Sequence, residues 1–582
     1  MATRTWLSTG STDMNNVANY SGSGALLTTD DLVFDATSVV NATDTASLSV
    51  ICITAAAGYT GTWSDGGQTI TVNAAFNMSS GGSFVGTGTL IQSTNANVTF
   101  ANTGSPTTST AWKLDLKDDG SLIVSGYKNM GSLKCGYAGK TTTITGGSGL
   151  FLNIRPTPLT LAHATGTLTI NMGFSINAGA NVTFEQGSAT INGSSALVFY
   201  TTAACVITLK ALTATLTGGI YLQCVSAAAC SVNIEGNLTV IGGNLHILNA
   251  QTNAAGIFTV NFGGYDITTD DTKSIYIGQQ FTNDAETIIN LQGSKVTTGT
   301  LRTYGSFQDD KCTVNLDTGT MELTCTSDST AAYFIYLHKR VIFTDTTGRI
   351  YLIRSAGARS GSITSAGSTL PDLRFDAPGK TCLLNDNLNV ADLVVTDGTF
   401  DANEKTVSIT GLLNIVGTVD FTNCAVTIGG NYLSSGTLTK DANTTFTFTG
   451  DAATITTYGK ALPTCTLNNN CTINDSVTFA RLIFGVDGKT ITFEQGETFT
   501  ITAYTAADWD GAIGTLNLIR SSAPGTHFHI VLPAIQTMRY IDVMDCTSDT
   551  HEVTVIHGKN STGNTNFVFT QAPQCIVVQT FQ

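Results

Sequence analysis

Charge is scarce in this 582-residue chain. Lys, Arg, Asp and Glu make up 12% of it, against roughly 25% in an ordinary soluble domain. Glutamate occurs only eight times and proline nine. The net charge of −15 argues against a nucleic-acid partner, which needs clustered Lys and Arg. It argues equally against an anionic membrane surface. No apolar run approaches the roughly 18 residues of a membrane helix, so membrane insertion is not expected. The opening "MATRTWLSTG" carries one Arg but no apolar stretch of the kind a secretory signal needs. A protein of this kind that works outside a cell is expected to leave by another route, such as release in an assembled virus particle.

Thirteen cysteines cannot all pair, and no CxxC occurs. The closest pairs are Cys224/Cys230 in "CVSAAAC" and Cys465/Cys471 in "CTLNNNC". Most cysteines sit among Val, Ile, Leu and Thr, as in "VICITA", "ACVITL", "KCTVNL" and "NCAVTI". That setting predicts buried free thiols that pack as small hydrophobes, and it lacks the paired spacing of a zinc site. A P-loop, a dinucleotide fingerprint, GxSxG, HExxH and the calcium-binding Gly-Gly-x-Gly-x-Asp repeat are also missing. No cofactor is expected.

Thr, Ser, Asn and Gly fill the space that charge leaves, and they fill it periodically. A unit of apolar, Thr or Asn, apolar recurs through the first half. It reads Leu159-Thr160-Leu161, Val182-Thr183-Phe184, Ile207-Thr208-Leu209, Val232-Asn233-Ile234, Val260-Asn261-Phe262, Ile289-Asn290-Leu291 and Val314-Asn315-Leu316. The spacing is nearly constant at roughly 25 residues, within the range of solenoid repeats. Alternation of period two puts the apolar pair on one face of a strand and Thr or Asn on the other. Polar or Gly-containing turns usually follow: "EQG", "EGN", "GGY", "QGS", "DTG".

The second half continues less regularly, through Leu373-Arg374-Phe375, Val419-Asp420-Phe421, Phe446-Thr447-Phe448, Ile491-Thr492-Phe493 and Leu516-Asn517-Leu518. A longer duplication relates the segments that begin at Cys382 and Cys471, with Phe400-Asp401 falling on Phe493-Glu494. A coil of about 25 residues cannot bury its own apolar face, but stacked coils can. The predicted fold is therefore all-β: a parallel β-helix, or β-solenoid, with outward Thr and Asn free to form side-chain ladders. About twenty coils at roughly 4.8 Å each would make a rod near 100 Å long. An array of β-sandwiches is the alternative. The expected divisions are 1–45 as an N-terminal cap or attachment segment, 46–330 as a first solenoid segment, 331–375 as a basic junction or insertion, 376–502 as a second solenoid segment, and 503–582 as a C-terminal β module.

Three segments carry a resemblance. "TWLSTGSTDMNNVANYSGSGALLTTDDLVFDATS" sets Trp6 and Asp31 ahead of Val33-Phe34-Asp35; "GTFDANEKTVSITGLLNIVGTVDF" has the form of a coil; and the C-terminal region holds Ser522 to Thr526, Tyr540-Ile541-Asp542-Val543 and Asn564 to Phe569. Together they resemble phage-encoded and bacterial surface β-helix proteins of the tail-fibre, tailspike or virion-surface type. The resemblance implies a solenoid fold and a virion setting, with assembly in the host cytoplasm. It implies other virion proteins and a host-surface glycan or receptor as partners, and a homotrimer by analogy with fibres and spikes. A non-enzymatic structural protein is the first expectation. A tailspike enzyme that depolymerises a surface polysaccharide and a bacterial adhesin are the alternatives.

Candidate chemistry is thin. A glycosidase needs two acids roughly 5–9 Å apart. The possible acids are Asp118-Asp119, Asp270-Asp271, Asp309-Asp310 and the pair in "AADWDG", all of which also read as turn residues. None is assigned as catalytic. Asp508, Trp509 and Asp510 are the candidate carbohydrate contact, because an exposed indole gives a sugar ring a stacking face. Lys339, Arg340 and Arg354 belong to a run rich in His338, Arg349 and Arg359 that reads as a basic contact surface. His527 and His529 in "THFH" share one strand face and are the candidate metal ligands, although a site needs three or four. The pentapeptide "TFEQG" occurs at 183–187 and 492–496. Glu494 is matched by Asp401 in the second-half duplication, and Glu185 by Lys210, Glu235 and Gly263 in neighbouring rungs. A position so variable reads as an exposed corner, not as a duplicated catalytic acid.

Overall fold

In the computed structural model the regular elements of the described residues are almost all parallel strands. The structure describes residues 2–570 apart from 8–10, 79–82, 94–97, 101–112, 125–127, 136–138, 147–150, 155–165, 187–189, 226–227, 251–255, 280–284, 305–310, 325–332, 345–347, 354–360 and single positions 23, 39, 86, 131, 179, 185 and 202. Among these residues the helical elements are two short 3-10 turns, Val17–Asn19 and Ala506–Asp508. The chain forms two compact units, 1–321 and 322–582. Each is a parallel β-solenoid.

In the first unit the sequence rungs stack as written. Val182 lies over Ile207, Ile207 over Val232, Val232 over Val260, Val260 over Ile289 and Ile289 over Val314. The rung at Leu159 lies outside the described residues. Each coil here passes through three strands, as in Leu212–Leu216, Ile220–Cys224 and Cys230–Ile234. Their apolar positions alternate inward and are buried. The turns between strands need glycine where coils approach closely. Gly219 has φ of +80°, and a Cβ there would sit 2.2 Å from the Asn244 carbonyl oxygen.

The outward positions of the same rungs form a ladder. Asn261 Nδ2 donates to Asn233 Oδ1 at 2.8 Å and Asn290 Nδ2 donates to Asn261 Oδ1 at 2.7 Å. Asn315 donates to Asn290 in turn, and Thr183 and Thr208 extend the column. Asn261 and Asn290 each give one N–H to the coil before and receive one from the coil after, so the hydrogen bonds run along the stack as the apolar contacts do inside it.

The N-terminal residues belong to the same stack. Thr3–Thr5 pairs with Asp31–Phe34, which pairs with Leu48–Ala55. Trp6 closes the apolar column here, 5.2 Å from the Tyr20 ring and 6.0 Å from Phe34. Phe34 continues to Trp63, and Trp63 to Phe76. The Trp63 Nε1–H donates to Asp44 at 2.8 Å. Burial pushes the Asp44 carboxyl up to about 7; the Trp63 bond opposes this, and Asp65 and Asp13 add to it.

The second unit is built on shorter coils than the sequence pattern predicts. Leu388, Val407, Val426, Phe446 and Cys465 stack one upon the next. Their steps are close to roughly 20 residues, at the short end of solenoid repeats. Turns this tight use left-handed residues such as Asn403, Glu404 and Asn423. The second-half rungs therefore do not make one ladder. Phe446 stacks between Val426 and Cys465 on one sheet, whereas Val419 stacks between Phe400 and Leu438 on another. The duplication is also offset: Phe400 lies over Cys382, but it is Ile491, not Phe493, that lies over Cys471. The offset keeps the same face inward because it equals the strand period of two.

The described strands of the segment 331–375, expected as a basic junction or insertion, belong to the stack. Tyr333–Tyr336, Arg349–Ile353 and Gly361–Thr364 are strands of the ladder, with Arg349 opposite Asp372 and Gly361 opposite Cys382. The C-terminal region also continues the stack, Ile491 to Ile519 to Val543 on one sheet and Phe499 to Ile530 to Ser548 on another. Cysteines 135, 205, 312, 382, 424, 465, 471 and 546 are buried and outside any disulfide, and Cys52 is half-buried. Cys224 and Cys230 depart from the expectation and are joined in a disulfide.

Two outcomes follow from these contacts. Asn290→Ala removes both ladder bonds of that amide, the one it gives to Asn261 and the one it receives from Asn315, so it is expected to destabilise the first unit by about 1–2 kcal/mol, measured as a lowered urea midpoint. Asp44 holds its proton more tightly folded than unfolded, so its contribution is complete at about pH 4 and is lost as pH rises through about 7. Asp44→Asn is therefore expected to stabilise the protein increasingly from pH 5 to pH 8, by up to a few kcal/mol. Paired thermal melts check it, and an equal shift at every pH would remove Asp44 as the cause.

Candidate functional site

A solenoid leaves one coil's last N–H groups facing the next coil's turn, and polar side chains answer them. Asn237 Oδ1 accepts from Asp266 N at 3.1 Å, Asn387 Oδ1 from Thr406 N at 3.0 Å and Asn431 Oδ1 from Thr454 N at 2.9 Å. The carboxylates play the same part. Asp386 accepts from Ser365 N at 2.8 Å and Ala366 N at 2.6 Å; Asp475 accepts from Tyr458 N at 2.6 Å.

Asp119 and Asp270, two of the acids nominated for glycan cleavage, fall into this pattern. Asp119 Oδ1 accepts from Thr141 N at 2.6 Å, and Asp118 pairs with Lys140. Asp270 accepts from Gly242 N. Asp309 and Asp310 lie outside the described residues. In the two "TFEQG" stretches the phenylalanines, Phe184 and Phe493, are buried. Gln186 Nε2 donates to the Thr213 carbonyl at 2.8 Å, and Glu494 accepts from Asp475 N at 2.7 Å. Glu185 lies outside the described residues.

Asp508, Trp509 and Asp510 are brought together, but as an anchor. Asp508 ends the 3-10 turn Ala506–Asp508 and receives Thr505 N at 2.8 Å and Thr505 Oγ1 at 2.7 Å. Arg481 Nε adds a bond at 2.8 Å. Burial raises the Asp508 carboxyl, but the Arg481 and Thr505 bonds outweigh it and hold the group below the usual range. Asp510 Oδ1 caps Arg539 N at 2.7 Å. The reading of Trp509 as a sugar platform is corrected. The indole is 1% exposed, its Nε1–H donates to the Leu482 carbonyl at 2.9 Å, and its ring packs against Phe484, Phe493 and Tyr504. An aromatic face so covered cannot stack on a sugar. Trp6 and Trp63 are equally buried. In each case the indole joins the apolar column.

His527 and His529 do share a face. His527 Nδ1 lies 2.8 Å from Thr547 Oγ1, and His529 Nδ1 lies 2.9 Å from Asp549 Oδ1. Each imidazole meets a different residue of the next coil, so the two do not converge. Among the described residues no three His, Cys, Asp or Glu side chains are placed to hold a metal ion.

The basic run is redistributed by the ladder. Lys339 is half-buried and Arg340 exposed in the turn after Tyr333–Tyr336. Arg354 lies outside the described residues. The cations that meet are Arg349 and Arg374, and they meet at Asp372. Arg349 Nε lies 3.1 Å from Asp372 Oδ2, and Arg374 donates to the same oxygen through Nε at 3.2 Å and Nη2 at 3.0 Å. Arg374 was not apparent as a site residue in the sequence, because it lies on the next coil from Arg349. The available signal was the alternation of "RIYLI" and "DLRFD", which puts Arg349, Tyr351, Asp372 and Arg374 on outward positions.

Trp509→Ala is expected to cost about 3–5 kcal/mol of stability, read as an earlier transition in urea. Asp508→Asn is expected to destabilise the same region by leaving Arg481 without its charge partner. No protein-family model, no curated protein and no solved structure matches this chain.

Proposed function

We propose that this chain is a structural protein of a phage particle, of the tail-fibre, tailspike or capsid-surface type, whose solenoid presents a surface for attachment to a host glycan or receptor. The observation that carries the reading is the outward ladder. Thr183, Thr208, Asn233, Asn261, Asn290 and Asn315 set one hydrogen-bonding side chain at the same place on each coil. A surface that repeats along its axis suits a partner that repeats, and a polysaccharide is such a partner. The three sequence segments that resemble phage and bacterial surface β-helix proteins support the virion setting.

Attachment without cleavage is the form proposed. Asp119, Asp270 and Asp510 hold turns, and a carboxylate committed to backbone N–H groups is poorly placed to act as acid or base. Assembly as a homotrimer is part of the proposal, by likeness to fibres and spikes.

Mass spectrometry of purified virions, with antibody labelling in electron micrographs, is expected to find the chain on the particle. Purified protein is expected to sediment with host envelopes and to release no oligosaccharide from them. Absence from the particle would remove the virion assignment. Released oligosaccharides would replace attachment by depolymerisation.

A further inference from the structure

The second unit carries a cationic fork on its outer surface. Arg349 and Tyr351 are the outward residues of Arg349–Ile353, and Asp372 and Arg374 are those of the next strand in the stack. Arg349 lies opposite Asp372, and Tyr351 lies opposite Arg374. Asp372 is buried, with 8% of its side chain exposed, and one of its oxygens receives both guanidiniums. The two arginine side chains remain accessible, at 47% for Arg349 and 29% for Arg374. The Tyr351 hydroxyl, and then Asp372, keep Arg349 charged.

We propose that Arg349, Tyr351 and Arg374 form a binding site for the anionic groups of an acidic polysaccharide. The inference rests on the attachment reading and names the class of glycan. Two cations share one carboxylate, so one positive charge is left over, in a chain whose net charge is −15. The shared carboxylate occupies Nε and Nη2 of Arg374 and Nε of Arg349. A guanidinium has five N–H groups, so each retains donors for a second anion. Because Asp372 already holds the two side chains, an arriving anion orders little that is still mobile. Tyr351 sets an aromatic ring beside the pair, a surface on which a sugar can rest. Asp376 is exposed two residues beyond Arg374 and bounds the positive patch on that side.

Three polymers test the proposal on the full chain: polygalacturonate, which bears carboxylates; dextran sulfate, which bears sulfates; and neutral dextran. Titration calorimetry is expected to show binding of an acidic polymer that weakens with salt, and none of dextran. Arg349→Gln leaves Arg374 on Asp372 and is expected to keep the melting temperature while weakening acidic-polymer binding about tenfold. Arg349→Lys retains the charge but loses the fork, and is expected to fall between. Lys210→Gln in the first unit is the control for general charge and is expected to change nothing. Equal binding of dextran, no binding of either acidic polymer, or unchanged binding by Arg349→Gln would each overturn the site. Host envelopes separate the two readings. Envelope binding that Arg349→Gln leaves intact overturns this site alone, whereas failure of the wild type to bind envelopes removes the attachment reading.

Discussion

Everything in this protein depends on parallel strands stacking in register. A single coil has an apolar side and nothing of its own to bury it against. Ile207 is buried because Val182 lies on one side of it and Val232 on the other. The core is a column shared by successive coils, and its free energy belongs to the interfaces between them. Register is the constraint that makes this work. A slip of one residue in any strand would turn its whole apolar set outward.

The same constraint explains how polar residues are used. Stacking coils at strand spacing leaves each turn close to the turn of the next coil, with backbone N–H groups to satisfy. Asn and Asp side chains reach across that gap, as Asn387 does to Thr406 and Asp386 to Ser365 and Ala366. A neutral amide meets the need as well as a carboxylate does. That accounts for a chain with little charge and abundant Asn and Thr, and it shows why acids in this sequence are weak guides to catalysis. The first coils add an aromatic column, from Trp6 through Phe34 and Trp63 to Phe76.

Arg349, Asp372 and Arg374 show how a solenoid makes a local surface feature. The three residues come from two coils and reach one outward patch because their strands are neighbours. Each alone is an ordinary polar position on an alternating strand. Their union concentrates positive charge on a molecule that is otherwise acidic, and holds it with a buried carboxylate.

The solenoid and the rungs of the first unit were legible from the amino-acid order alone. Alternation of period two is a local property, and the repeat of Val-Thr-Phe, Ile-Thr-Leu and Val-Asn-Ile at nearly constant spacing states which residues must stack. The Asn column followed from the same lines. The tertiary structure decided what depends on turns: the shorter coils from Leu388 onward, the separation of Phe446 and Val419 onto different sheets, and the offset that sets Ile491 over Cys471. It decided also that Trp509 packs inward on Phe484 and Phe493, and that Arg374 meets Arg349. The reason is common to all of these. Alternation says which side of a strand a residue occupies, but the strand it stacks upon is set by how many residues each turn consumes, and turn geometry is resolved only when the coils close on one another.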